Sequence, residues 1–203
     1  NSVAAWVTIP ETSLTSVAWS TTGSGLENGS LFAIEVDGKL LVDNDQTPPN
    51  VPSNASTVRA NPSAGISIVT YTGTGTGNTV AHGLNAIPEM IILKGRNFAD
   101  NWRVYHKYLD ASEPEDYYLM LESTNGKSAD QNASFMNNTP PTSSVFSLGT
   151  DSAINGSSRT MVAYCFAPVA GFSEFGSYTG NGSASGPFIF TGFRPKWILF
   201  KMP

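Results

Sequence analysis

The sequence predicts an all-β fold, an antiparallel sandwich or jelly-roll-like domain that carries an internal duplicated β unit. Three observations predict it. Helix signals are nearly absent, and short apolar or alternating runs recur, each closed by Gly, Pro, Asn or Asp. Charged residues make up 13% of the chain, against roughly 25% in an average soluble domain, so Ser, Thr, Asn and Gly must carry the polar surface. Finally, Tyr71-Thr72-Gly73-x-Gly75 returns later as Tyr178-Thr179-Gly180-x-Gly182.

The elements follow in order. Residues 3–9 alternate around Trp6 and stop at Pro10, and residues 16–19 end in Trp19 before a Thr/Gly turn. Residues 31–36 and 39–42 flank Asp37-Gly38, the strongest short hairpin signal in the chain, because both residues tolerate positive φ. Residues 43–64 break the rhythm. They hold Pro48, Pro49, Pro52 and Pro62 and no aromatic residue, which predicts a linker or extended crossing over 48–64. Strands are expected again at 66–72, 90–94, 102–107, 116–121, 145–148 and 160–166, each apolar or alternating and bounded by turn residues. Three more are expected at 174–178, 188–191 and 196–201.

The duplication sets the domain plan. Pro88 follows Tyr71 at the same interval at which Pro195 follows Tyr178. Each proline leads a similar strand, Pro-Glu-Met-Ile-Ile-Leu-Lys first and Pro-Lys-Trp-Ile-Leu-Phe-Lys second. Gly65-x-Ser67 and Gly171-x-Ser173 precede the two tyrosines. Such spacing marks a repeated supersecondary unit. The expected plan is the end of an N-terminal β-sandwich-like domain at 1–47, the linker at 48–64, a first β repeat at 65–170, and a second, truncated copy at 171–203. Residues 66–94 and 172–201 are expected to share one backbone shape, with Tyr71 and Tyr178 in equivalent surroundings. The start at Asn1 rather than Met predicts that the natural protein begins earlier, and the second copy looks cut short.

Glycine-rich phrases also suggest phosphate cradles, but such a loop must open a helix. Thr-Gly-Asn-Thr-Val follows Gly75, and Pro187 follows the second phrase, so a strand–turn–strand reading is the better one. The net charge of -5 and the lack of a Lys/Arg stripe argue against nucleic acid as a partner. No run approaches the ~20 apolar residues of a membrane-spanning helix. Cys165 is alone, so no intrachain disulfide or thiolate metal site is possible, and its apolar run predicts a buried inert thiol.

The stretches IEVDGKLLVDN (34–44), RANPSAGISIVTYTGTG (59–75), HGLNAIPEMIILKGRN (82–97), NWRVYH (101–106), TMVAYCFAPVAGFSEFGSYTGNG (160–182) and GPFIFTGFRPKWILFK (186–201) resemble a repeat of tail-fibre-like structural proteins from marine and cyanobacterial bacteriophages. The resemblance implies a virion component assembled in the host cytoplasm and then exposed outside it. It implies a non-enzymatic structural and adhesive role in a tail fibre or related appendage, contributing to attachment at the host surface. Partners would be other virion subunits in a homo-oligomer, with a trimer favoured, and a host-surface glycan. A capsid-decorating protein or head fibre, a secreted carbohydrate-binding module and a polysaccharide depolymerase are the other readings.

No catalytic, cofactor or metal set is predicted. His82 and His106 lack metal spacing and an orienting partner. Asp43-Asn44-Asp45 opens like a calcium loop but lacks the later glycine and glutamate. Glu113, Glu115 and Asp116 beside Pro114 read as a hydrophilic loop. On the 102–107 strand, alternation puts Trp102, Val104 and His106 on one face, expected to be core. Arg103, Tyr105 and Lys107 fall on the other, expected to be a wet surface that binds a glycan or another subunit. Tyr117 and Tyr118 add aromatic surface nearby. The apolar stretches 188–190 and 197–200 are expected to be buried against another chain or against residues beyond 203.

Overall fold

A computed structural model describes residues 34–36, 39–41, 52–130 and 132–203. The fold is all-β and antiparallel. Among the described residues its strands are β1 (Ile34–Val36), β2 (Lys39–Leu41), β3 (Ser56–Asn61), β4 (Ile66–Thr72), β5 (Asn78–Ala81), β6 (Met90–Gly95), β7 (Arg103–His106), β8 (Tyr117–Met120), β9 (Ser128–Ala129), β10 (Val145–Leu148) and β11 (Thr160–Phe166), with short 3-10 turns at Pro62–Ala64 and Pro114–Asp116 and one α-helical turn, α1 (Ser152–Asn155). Nine strands form one sheet in the order β1-β2-β3-β4-β11-β6-β7-β8-β9, and β10 pairs with β5 in a small second sheet. The sandwich is therefore lopsided, nine strands against two.

β11, the last strand in sequence, lies in the middle. Its full length pairs with β4, Thr160 opposite Thr72 and Phe166 opposite Ile66. On its other side it pairs with β6, Met161 opposite Gly95 and Phe166 opposite Met90. Period-two alternation sends Val69 and Tyr71, Met161, Ala163 and Cys165, Ile91 and Leu93 into one buried face. Against that face pack Val80, Phe146 and Leu148 of the small sheet, Ile154 of α1, and Phe135 with Met136. Each large side chain buried there contributes about 1.5–3 kcal/mol over its exposed state. Cys165 is buried as expected, and burial pushes its thiol pKa up.

The opposite face carries a row Arg59–Ile68–Tyr164–Ile92–Val104–Leu119 across six strands. Its far end is closed by a smaller cluster of Val104, Leu109 and Leu119. Its near end is open, with Ile68 43% exposed.

Several expectations need correction. Residues 56–61 are no linker: they form β3, paired to β2 and β4, with Ser56 buried. The prolines stand outside this strand, so the ladder loses no donor to them. The hairpin sets Val36 opposite Lys39, and β2 joins β3, so residues 34–41 belong to the same sheet as the first repeat rather than to an earlier domain. The candidate strands at 3–9 and 16–19 lie outside the described residues.

The second copy differs more deeply. Residues 174–203 form no strand, where the first copy has β4, β5 and β6. The shared backbone shape expected for 66–94 and 172–201 is therefore not adopted here. Pairing explains why: β4 rests on β3 and β11, and β6 on β11 and β7. Among the described residues the second copy has no strand to pair with on either side. The turn glycines nonetheless repeat their conformation. Gly65 and Gly171 have φ of 66° and 74°, and Gly75 and Gly182 have 78° and 68°. Local turn chemistry is duplicated where long-range pairing is not.

Candidate functional site

The predicted trio is split. Alternation along β7 is as expected, but both faces are covered at its centre: Val104, expected to be core, is 4% exposed, and the other face is buried as well. Tyr105 is 2% exposed and belongs to the main core, where burial, with Glu115 and Glu89 nearby, pushes its phenol pKa up. Arg103 is also largely buried, its guanidinium 4.3 Å from the Tyr118 ring and 3.8 Å from the Asp151 carboxylate. Lys107 lies just past the strand and ion-pairs with Glu89, which raises its pKa. Tyr105 therefore offers no ring to a glycan. The cause is tertiary: each face of β7 pairs a polar with an apolar or aromatic side chain, Arg103 with Tyr105 and Val104 with His106, and the small sheet with α1 covers the face that holds Tyr105.

A half-buried aromatic pair lies on the other side, built from Trp102, which alternation alone assigns to the core, and Tyr164. Trp102 precedes β7 and stacks on Tyr164 of β11, ring centroids 6.5 Å apart and planes 29° apart. The Lys94 ammonium stands 5.5 Å over the Trp102 ring and donates to the Asp100 carbonyl. The Trp102 backbone N–H donates to Glu122 Oε2 at 3.1 Å. Trp102 and Tyr164 are both half-buried, held by the sheet with ring surface still facing water. A flat ring flanked by a cation and a carboxylate is the arrangement that stacks on a sugar ring and bonds its hydroxyls. One signal in the sequence could have found it: Lys94 shares a face of β6 with Met90 and Ile92, which marks that face as the solvent side.

The first glycine phrase has a different task. Its amides are spent inside the protein. Gly73 N–H donates to the Arg159 carbonyl at 2.8 Å, Thr74 N–H to Asn155 Oδ1 at 3.0 Å, and Gly75 N–H to the Asn155 carbonyl at 2.7 Å. The Tyr71 hydroxyl donates to the Ile154 carbonyl at 2.8 Å. The phrase is a seat for α1, and these amides are not turned toward an anion. A Cβ on Gly73 would lie 2.4 Å from the Gly156 carbonyl oxygen, whereas one on Gly180 would meet nothing within 4 Å. Gly73→Ala should therefore cost about 2 kcal/mol through overpacking, and Gly180→Ala should stay within about 0.5 kcal/mol of the parent. Paired urea titrations check this, and equal midpoints would contradict the seat.

The histidines are structural. His82 is fully buried, its Nε2 3.1 Å from the Thr142 carbonyl, while Nδ1 accepts from Leu84 N–H at 3.3 Å. Burial lowers its pKa to about 4. His106 rests against the Tyr108 and Phe175 rings, and burial lowers its pKa too. Among the described residues no three His, Cys, Asp or Glu side chains gather as a metal site. Asp43-Asn44-Asp45 lies outside the described residues.

Residues 46–203 match a family model described as "Domain of unknown function (DUF7483)", a span that takes in both glycine phrases. No curated protein and no solved structure matches the chain.

Proposed function

We propose that this chain, which belongs to the DUF7483 family, is a non-enzymatic structural and adhesive component of a bacteriophage virion, in a tail fibre or related appendage. The observation that carries the adhesive part is the Trp102–Tyr164 platform on the open face of a broad antiparallel sheet. A sheet fixes both rings with little conformational entropy left to lose on contact. Lys94 beside them suits the acidic polysaccharide of a bacterial envelope, against a chain whose net charge is -5. The resemblance of the repeat to phage appendage proteins supports the virion setting.

Antibody against the protein should label intact purified particles on an appendage; labelling of the medium alone would point to a secreted module instead. For the platform, Trp102→Ala should weaken adsorption to host envelope polysaccharide at least tenfold, about 1.4 kcal/mol, with the urea midpoint nearly kept. Unchanged adsorption by a folded variant removes the platform from recognition.

A further inference from the structure

Residues 171–203 repeat the sequence pattern of the β4–β6 region, yet none of them lies in a strand. Three observations bear on what is missing. The second phrase keeps the turn conformations of the first, at Gly171 and Gly182. It also brings equivalent residues together: the Tyr178 and Phe200 rings meet edge-on at 6.2 Å. Their counterparts Tyr71 and Leu93 share the main core, where they flank β11, opposite Met161 and Ala163 respectively. Finally, the side chains that would face a core are bare: Ile198 and Phe200, the counterparts of the buried Ile91 and Leu93, are 55% and 63% exposed, and no atom lies within 4 Å of a Cβ placed on Gly180 or Gly182. Patches of this kind mark a surface awaiting a partner.

We infer that residues 171–203 are an acceptor for one added β-strand of β11 type, which seats between the Tyr178 segment and the 196–201 segment as β11 seats between β4 and β6. The recognition chemistry is strand addition. Backbone N–H and C=O groups on both flanks pair with the incoming strand, and its alternate side chains enter the pocket between Tyr178 and Phe200. The β11 pattern Met161, Ala163, Cys165 shows what that pocket takes, a small residue at the centre with apolar neighbours two positions away. The folded chain's own β11 is not the donor, because β4 and β6 already occupy both its sides. The strand comes from a further unit of the same repeat. This inference stands on the repeat and the strand register and holds whether or not the chain serves in a virion.

The test appends a second copy of residues 95–170 directly after Lys201. Hydrogen exchange at 176–179 and 197–201 should slow by about 100-fold or more, and Trp197 emission should shift to shorter wavelength. The same fusion with Ala163→Pro in the appended copy alone should lose both effects, since proline removes a ladder donor and breaks the central strand. In a second arm, a peptide of residues 156–168 is added to the 203-residue chain, and the same amides are followed. Protection in either arm supports the acceptor. Tail amides that exchange as fast as before in both arms, with β4 and β6 still protected, overturn it. So does a shift in Trp197 emission without amide protection, which would mean unspecific collapse.

Discussion

Asn155→Ala should lower the free energy of unfolding by about 4 kcal/mol, out of the ~5–15 kcal/mol typical of a domain. Asn155 is fully buried at the end of α1, and its amide is used on both sides. Nδ2 donates to the Gly149 carbonyl at 2.6 Å and the Thr76 carbonyl at 2.7 Å. Oδ1 accepts from Thr74 N–H at 3.0 Å and from Asn78 Nδ2 at 3.1 Å. Truncation leaves the buried Gly149 carbonyl and the Thr74 N–H without their partner, at about 1–3 kcal/mol each, whereas the Thr76 carbonyl keeps the Thr74 hydroxyl and the Asn78 amide as donors. Asn78 keeps other acceptors, Thr74 Oγ1 and the Thr76 carbonyl, and adds little. Asn155→Asp should be nearly as damaging, because it keeps both acceptors but turns a carboxylate on two carbonyls. Urea titration should show a lower midpoint at an unchanged slope for both variants. A loss below about 1 kcal/mol for either would mean that the clamp is dispensable.

Acid should destabilise the protein well above the range where carboxylates titrate. Burial holds the folded pKa of His82 at about 4, against the ordinary 6.5 of an exposed imidazole. The unfolded chain therefore takes up the proton first. Stability is level above about pH 6.5 and falls as the pH drops toward 4, by about 3 kcal/mol in all. The lowered pKa of His106 acts in the same direction. Asp110 belongs to another window: backbone N–H groups of Ser112 and Glu113 hold its pKa near 2, so its contribution is lost only below the ordinary carboxylate range. His82→Gln retains an N–H for the Thr142 carbonyl but cannot titrate. It should be less stable at pH 7 and show a flatter decline from pH 6.5 to 4. An equal decline in the variant would assign the acid sensitivity elsewhere.

Legibility in the sequence followed how local each decision is. β4, β10 and β11 were read to the residue, because alternation and bounding glycines or prolines settle a strand without knowledge of its neighbours. β3 was missed because Ser-Thr-Val-Arg-Ala-Asn has one large apolar side chain, and the strand exists through pairing on both edges. β5 was hidden by the glycines before it, and α1 is too short to show a helical period. Alternation gives Tyr105 the right partners along its strand and the wrong exposure, since a strand with a polar side chain on each face leaves that choice to the layers above and below. Asn155, in Ile-Asn-Gly-Ser, has the form of a glycosylation sequon, yet its burial leaves no room for a glycan. Its role rests on contacts with residues 74–78, which spacing along the chain does not announce.

The central position of β11 has a consequence for synthesis. While the ribosome is still short of residue 160, β3 can pair with β4 and β7 with β6, but no strand joins the two pairs. Each then presents an open edge and an apolar face to its surroundings, the condition in which chains associate wrongly. The sheet closes in one step when residues 160–166 emerge and bond to both edges at once. Folding is thus coupled to the end of translation of this unit, and a pause between residues 95 and 160 prolongs the interval of risk. In an array of such repeats the hazard returns with every copy, since a β4–β6 segment made early can take the β11 of the wrong unit.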